Sequence, residues 1–169
     1  NRGVRVVKSQ LKENGEFPVF QNSLVPLGYH SSWNYPANST FIIVAGAAGE
    51  IGFSKINFWA ADDCFVIPDS INLNSRFVYY FLLTKQNYLF SRVRKASVPR
   101  LSRNFIENIK IPVPPLHIQE EIIAILDRFE ALVSDLKDGL PAEIAARRKQ
   151  YEYYRSQLLT FKPKPPHPL

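Results

Sequence analysis

At 169 residues, 46% hydrophobic and 21% charged, the chain holds enough apolar material to bury a core within one or two domains. Its formal charge of +6 is unevenly placed: residues 1–115 hold 13 Lys and Arg against 7 Asp and Glu, whereas residues 116–169 hold 8 of each. No run approaches the roughly 18 uninterrupted apolar residues of a membrane span, no signal peptide opens the sequence, and a single cysteine excludes a disulfide framework.

The excess positive charge marks the first part as the place where a polyanion would be met. The lone cysteine, Cys64, sits in the apolar run Cys64–Ile67, where a thiol serves as core filler. Its isolation fits a reducing, cytoplasmic setting. The chain contains no Met, not even an initiator, and is expected to be a processed product or a piece of a longer polypeptide.

Taken in order, residues 1–70 read as β-rich. Val4–Val7, Phe17–Phe20, Thr40–Ala45, Ile51–Ile56 and Cys64–Ile67 are short runs heavy in Val, Ile and Phe. Turn residues separate them at 13–15, 21–23, 35–38 and 62–63, a spacing that predicts a mixed or curled sheet rather than alternating βαβ units. Gly46 to Gly52 lies between two strands. It lacks the Lys-Ser/Thr of a Walker loop and the helix of a dinucleotide turn, so a β-hairpin is expected, with backbone exposed enough to approach a phosphate or base.

From Asn74, a plausible N-cap, the apolar residues Phe77, Tyr80, Phe81 and Leu83 recur at helical spacing. The most basic stretch follows, with Lys85, Arg92, Arg94, Lys95, Arg100, Arg103 and Lys110 opposed only by Glu107. Ser102 suits the cap of a short helical turn over 103–108, and Ile109–Val113 reads as a last strand.

Residues 116–138 carry a 3–4–3–4 apolar seam at Ile122, Ile125/Leu126, Phe129, Leu132/Val133 and Leu136. After the break Asp138-Gly139-Leu140-Pro141, a second seam runs through Ile144, Arg148, Tyr151, Tyr154 and Leu158. Gly past a helix end and Pro in the next first turn predict an antiparallel helical hairpin. Such a hairpin has little core of its own, so its seam calls for partner helices as much as for burial within the chain. With four prolines, residues 162–169 are expected to be a flexible exit tail. The fold class is therefore α+β: residues 1–115 form a β-rich domain with a mixed or curled sheet and short helices, and residues 116–161 a long two-helix coiled-coil hairpin.

Catalytic constellations do not emerge. His30, His117 and His167 are scattered and share no ligand spacing with Cys64 or paired carboxylates. Asp62-Asp63 falls in a turn, and neither a nucleophile elbow nor a nuclease Asp plus Glu-x-Lys set is present. No cofactor is expected, and the chain reads as one that binds without catalysing.

Residues 97–122, through Ile109-Lys110-Ile111-Pro112-Val113-Pro114-Pro115-Leu116-His117-Ile118-Gln119, resemble the specificity subunit of type I restriction-modification enzymes. In that family an "I-P-x-P-P-x-x-x-Q" run leads from a target-recognition domain into a conserved helix. Residues 125–129, 147–155 and 157–161 are similar to its helical region. Gly15–Phe20, Ile43–Gly52 and Phe58–Asp62 are similar to recognition-domain segments.

The resemblance implies a non-catalytic subunit that grips one half of a bipartite double-stranded DNA site. It also implies a helical spacer on which methyltransferase subunits, and with them a restriction subunit, dock. Family members usually carry two recognition domains in tandem, so this chain would pair with a second copy of itself or be half of a longer subunit. Twenty-three helical residues at about 1.5 Å each reach roughly 35 Å, on the order of one turn of DNA.

Within that picture Arg92, Arg94, Lys95, Arg100 and Arg103 are the first candidates for DNA contacts, with Asn22, Ser23 and Lys55 beside turns in second rank. Ile122, Leu126, Phe129, Leu136, Tyr151, Tyr154 and Leu158 are the candidate dimer or subunit interface. The rival reading is a coiled-coil adaptor whose basic domain binds RNA or an acidic protein.

Overall fold

In a computed structural model, residues 1–13, 15–135 and 141–161 are described. The architecture is mixed α+β, with two small sheets and helices packed on one of them. In chain order the elements are β1 (Phe17–Phe20), β2 (Gly28–His30), β3 (Ser39–Ile43), β4 (Ile51–Ser54), β5 (Trp59–Ala60), β6 (Cys64–Ile67), α1 (Ser75–Thr84), α2 (Gln86–Ser91), α3 (Arg103–Glu107), α4 (Leu116–Asp135) and α5 (Pro141–Leu158).

The first sheet has the order β2-β1-β5, antiparallel on one side of β1 and parallel on the other. The second, β4-β3-β6, is antiparallel throughout. β3 is buried along its whole length because both of its faces are covered. Ile42 points to the helical side and packs with Ile51, Val78, Leu82, Leu89 and Ile106. Phe41 and Ile43 point the other way, onto Phe58, Ala60, Cys64 and Val66. Phe41 stands opposite Gly52 in the β3–β4 register. A Cβ at Gly52 would lie 2.3 Å from the Phe41 ring, so only glycine admits that ring.

Ser75, the first residue of α1, stitches helix to sheet. Its Oγ accepts from the Thr40 N–H at 2.7 Å and donates to the Ile67 carbonyl at 2.5 Å, while its own N–H donates to Asp69 Oδ1. Asn74 is the N-cap, its Oδ1 accepting from the Arg76 N–H at 2.8 Å. The opposite face of α1 meets the long helices: Phe77, Tyr80 and Phe81 bury Ile122, Leu126 and Leu159. α5 packs back along α4, with Phe129 and Tyr154 stacked at 5.2 Å and 18°. α1 thus touches both the sheet and the long helices.

Two expected strands are not strands. In Val4–Val7 only Val6 is buried, against Val19 and Ala61; Val4 and Val7 are exposed, and the Val4 N–H donates to Ala60 outside any ladder. Ile109–Val113 is irregular as well, since prolines at 112, 114 and 115 withhold donors and Ile109 spends its N–H on the end of α3. Its isoleucines serve packing rather than pairing: Ile109 and Ile111 lie against the helical core. Leu136, the 138–140 break and residues 162–169 lie outside the described residues.

Candidate nucleic-acid interface

The loop between β3 and β4 is held by main-chain bonds at both shoulders. The Gly49 N–H donates to Ile43 O at 2.8 Å and the Glu50 N–H to Ala47 O at 3.1 Å. Gly46 and Gly49 take φ of 84° and 93°, values that penalise any Cβ. Space excludes one too: a Cβ at Gly46 would lie 2.7 Å from Asn22 O, and one at Gly49 2.7 Å from the Phe90 ring. The glycines are there because three other segments press against this loop.

Two of those segments are bonded to it directly. The Ala47 N–H donates to Asn22 O at 2.9 Å, the Gly46 N–H to Pro99 O at 3.0 Å, and the Leu101 N–H to Val44 O at 2.9 Å. Leu101 then buries in the helical core and fixes the segment. Just before it, Arg94 and Arg100 exchange backbone bonds in both directions, at 2.8 and 3.2 Å. This pair closes residues 94–100 into a basic finger whose Lys95, Ala96, Ser97 and Val98 are exposed.

The structure therefore brings Asn22, Ser23, Arg94, Lys95 and Arg100 to one rim around the glycine loop. Ser23 spends its hydroxyl on Val25 O at 3.0 Å. Among the described residues Arg92, Arg94, Lys95 and Arg100 form no ion pair. All four are exposed. Arg92, at the end of α2, lies over the rings of Tyr88 at 5.1 Å and Phe105 at 5.5 Å.

The remaining candidates sit elsewhere. Arg103 bonds Glu107 at 2.7 Å and lies over Phe65 at 5.1 Å, so its charge is already partnered within the chain. Lys55 shares a cleft with Asn38, Phe53, Asp69, Arg76, Ile123 and Asp127, on the side of the long helices.

The seam along α4 and α5 divides. Ile122 and Leu126, expected to face a partner, are 6% and 0% exposed because α1 covers them, and Tyr151 and Leu158 are half-buried in the same cluster. Farther along, Ile125, Leu132, Tyr153 and Tyr154 stay exposed beside Phe129.

Sequence reasoning missed two polar residues that hold α4, one at its foot and one farther along it. Gln119 is fully buried: its Oε1 accepts from the Asn74 N–H, and its Nε2 donates to Asn72 O at 2.8 Å and Pro114 O at 2.7 Å. The junction motif contained this glutamine, but spacing gave no sign of what it would bond. The other is Arg76, whose guanidinium meets Asp127 and Glu130 of α4. It is one of many arginines, and only the fold brings its partners.

Among the described residues no group of three His, Cys, Asp or Glu stands close enough to hold a metal ion. Burial, reinforced by the charges of Asp63 and Asp62, pushes the Cys64 thiol up to about 12, the opposite of what a nucleophile needs.

A family profile described as the type I restriction modification DNA specificity domain matches residues 1–146. The chain belongs to this family.

Individual subunits share the likeness over part of their length. The type I restriction enzyme MpnII specificity subunit of Mycoplasma pneumoniae is 31% identical over 165 residues, covering 95% of this chain and 49% of that protein. Two solved structures share the fold. A type I restriction-modification system S subunit from M. genitalium gives a TM-score of 0.70 at 19% identity, over 82% of this chain and 38% of that one. The HsdS subunit from Thermoanaerobacter tengcongensis gives 0.63 at 18% identity, over 94% and 41%. The chain spans about half the length of the curated relatives it matches, 54% of one and 43% of another.

Proposed function

We propose that this chain is the sequence-reading half of a type I specificity subunit, a non-catalytic component that directs methyltransferase and restriction subunits to a DNA target. Residues 1–115 form the target-recognition domain and read one half of a bipartite double-stranded site. Residues 116–161 form a coiled-coil hairpin that spaces two recognition domains and docks the methyltransferase subunits. The second recognition domain comes from a second copy of this chain or from the other half of a longer subunit. The working place of such an assembly is the cytoplasm. Among the described residues no helix is long and apolar enough to cross a membrane.

The observation that carries the reading is the rim. The Arg94–Arg100 finger, the Gly46–Gly49 loop and Asn22 are bound to one another through backbone atoms, which leaves Arg94, Lys95, Arg100 and the Asn22 amide free for a ligand. Arginine and lysine on phosphates supply position and affinity, and arginine on guanine or asparagine on adenine supplies choice of sequence. The length of α4 suits the spacer: its 20 residues at 1.5 Å each make a rod of about 30 Å, close to one turn of DNA.

Methylome sequencing of a host carrying the cognate methyltransferase, with and without this chain, tests the proposal. A bipartite methylated motif that depends on the chain is the expected result. An unchanged methylome beside demonstrably assembled complex overturns it.

A further inference from the structure

Two polar anchors hold α4 against the rest of the chain, and they sit at different heights. The lower is Gln119, bonded to Asn72, Asn74 and Pro114. The upper is Arg76, whose Nη2 lies 2.8 Å from Asp127 Oδ1 and 2.5 Å from Glu130 Oε2, and whose Nε reaches the same Asp127 oxygen at 3.0 Å. Gln119 precedes Asp127 and Glu130 by 8 and 11 residues, which at 1.5 Å per residue separates the anchors by about 12–17 Å along the helix.

Between the anchors Ile122 and Leu126 pack on α1. Apolar contacts tolerate small rotations, whereas a directional polar pin on the far side of them fixes the direction of the rod. The Arg76 side chain is unusually well suited to be that pin. Its guanidinium lies 4.5 Å from the Phe53 ring centre on β4, and 5.1 and 4.8 Å from those of Tyr79 and Tyr80 on α1. The Tyr80 hydroxyl donates to Asp127 as well and bonds Glu130 at 3.1 Å. Sheet, first helix and long helix thus converge on one side chain that is 11% exposed. The planar fork of arginine meets both carboxylates while its faces rest on rings, which a lysine ammonium does not reproduce.

We propose that Arg76 is a positioning residue that sets the angle at which the helical rod leaves the recognition domain, and through it the half-site spacing the assembly accepts. The spacing consequence rests on the DNA reading above; the angle does not. From Gln119 to Asp135 the rod extends 16 residues, about 24 Å. A swing on the order of 15° about the lower anchor displaces its end by about 6 Å, roughly two base-pair steps of 3.4 Å.

The angle is measured by double electron–electron resonance between spin labels on Asn104→Cys in α3 and Ala131→Cys in α4, both exposed positions; native Cys64 is buried and does not take label. With Arg76 present the distance distribution is narrow. In Arg76→Gln, and in Arg76→Lys, it widens or shifts by about 6 Å, while Arg147→Ala, which removes a surface ion pair on α5, leaves it unchanged. A distribution as narrow and centred as in the parent overturns the proposal. If Arg76→Gln fails to fold by circular dichroism, Glu130→Gln decides in the same way, since it weakens the upper anchor and leaves Asp127 in place.

The functional arm repeats the methylome experiment with Arg76→Gln. The half-site bases stay the same, and gaps up to about two base pairs longer or shorter than the parent gap join it. A single unchanged gap overturns the spacing consequence. Absence of any chain-dependent motif with the parent chain instead overturns the DNA reading, and the label distances then stand or fall alone.

Discussion

The backbone N–H of Asn74 donates to Oε1 of Gln119 at 2.9 Å, joining residues 45 positions apart. Asn74 caps α1 with its side chain, so the start of one helix is fixed to the first turns of another through a single residue. Gln119→Leu keeps the volume and orphans the Asn74 N–H and the carbonyls of Asn72 and Pro114. These groups are part-buried, so water recovers some of the lost bonding, and the loss is about 1–3 kcal/mol in all. The urea midpoint reads it. Gln119→Glu costs more at neutral pH, because a carboxylate still accepts from Asn74 but faces two carbonyls with no proton to donate. A midpoint within error of the parent for both variants contradicts the anchoring role.

The finger makes a prediction about salt. Replacing Arg94, Lys95 and Arg100 together with Ala removes three unpaired cations from the rim. The slope of log K against log[salt] then flattens by about 2–3, at roughly 0.9 for each phosphate no longer neutralised. Arg103→Ala changes the slope less, because Glu107 already neutralises that guanidinium at 2.7 Å. Fluorescence anisotropy on a target duplex between low and moderate salt measures both. An equal effect from Arg103 places the DNA on a different face.

Gly49→Ala tests whether the glycine loop is structural support for that rim. The substitution forces an L side chain to φ of 93° and sets its Cβ 2.7 Å from the exposed Phe90 ring. A cost of about 1–2 kcal/mol is expected from the backbone alone. Gly49→Ala combined with Phe90→Ala relieves the clash but not the φ penalty, so thermal stability recovers only in part. Full recovery in the double variant means the backbone conformation carries no cost.

Alkaline pH weakens the fold through Cys64. Its thiol, raised by burial from 9.0 to about 12, donates toward the carbonyls of Phe20 and Gln21 at 3.3 and 3.4 Å. A raised folded value means that stability is intact below the unfolded value. Above it the unfolded chain releases the proton first, so stability falls as the pH climbs from about 9 toward about 12. The limiting slope is about 1.4 kcal/mol per pH unit for one proton. Tyr151, pushed up to about 12 mainly by burial, adds to the same loss. Cys64→Ala therefore loses less melting temperature between pH 8.5 and 11.5 than the parent does, and native protein at pH 8 resists maleimide. Rapid labelling at pH 8 contradicts the buried thiol.

Phe129→Asp probes the outer half of the hairpin. It replaces a ring stacked on Tyr154 with a charge, beside the exposed Ile125 and Leu132. Loss of methyltransferase co-elution is expected, with circular dichroism of the recognition domain retained. Unaltered co-elution and unaltered mass by light scattering go against the spacer and docking role.

Much of this fold was legible where one residue type has one use. Phe17–Phe20 and Cys64–Ile67 are strands at the expected bounds, and Asn74 is the cap it looked like. β2, a Gly-Tyr-His triplet, and β5, two residues long, carry too little pattern to be seen alone. Val4–Val7 and Ile109–Val113 show the converse error: an apolar run records burial, not pairing, and these runs bury side chains without giving their backbones to a ladder. The basic residues were visible as a stretch, but which of them are free depends on Glu107, on aromatic rings and on a glycine loop about fifty residues upstream. The seam was legible as apolar; that α1 would claim Ile122 and Leu126 was not, because no periodicity in α4 records what another helix presents.

The two-way backbone pairing of Arg94 with Arg100 has an evolutionary consequence. Closure of the finger depends on main-chain atoms, and its anchorage on Leu101 and the glycine loop. The exposed side chains from Lys95 to Val98 are therefore thermodynamically idle: most exchanges among them cost the fold within about 0.5 kcal/mol. On the DNA reading proposed above, a lineage under pressure to change its target can mutate this tip one residue at a time, without passing through an unfolded ancestor.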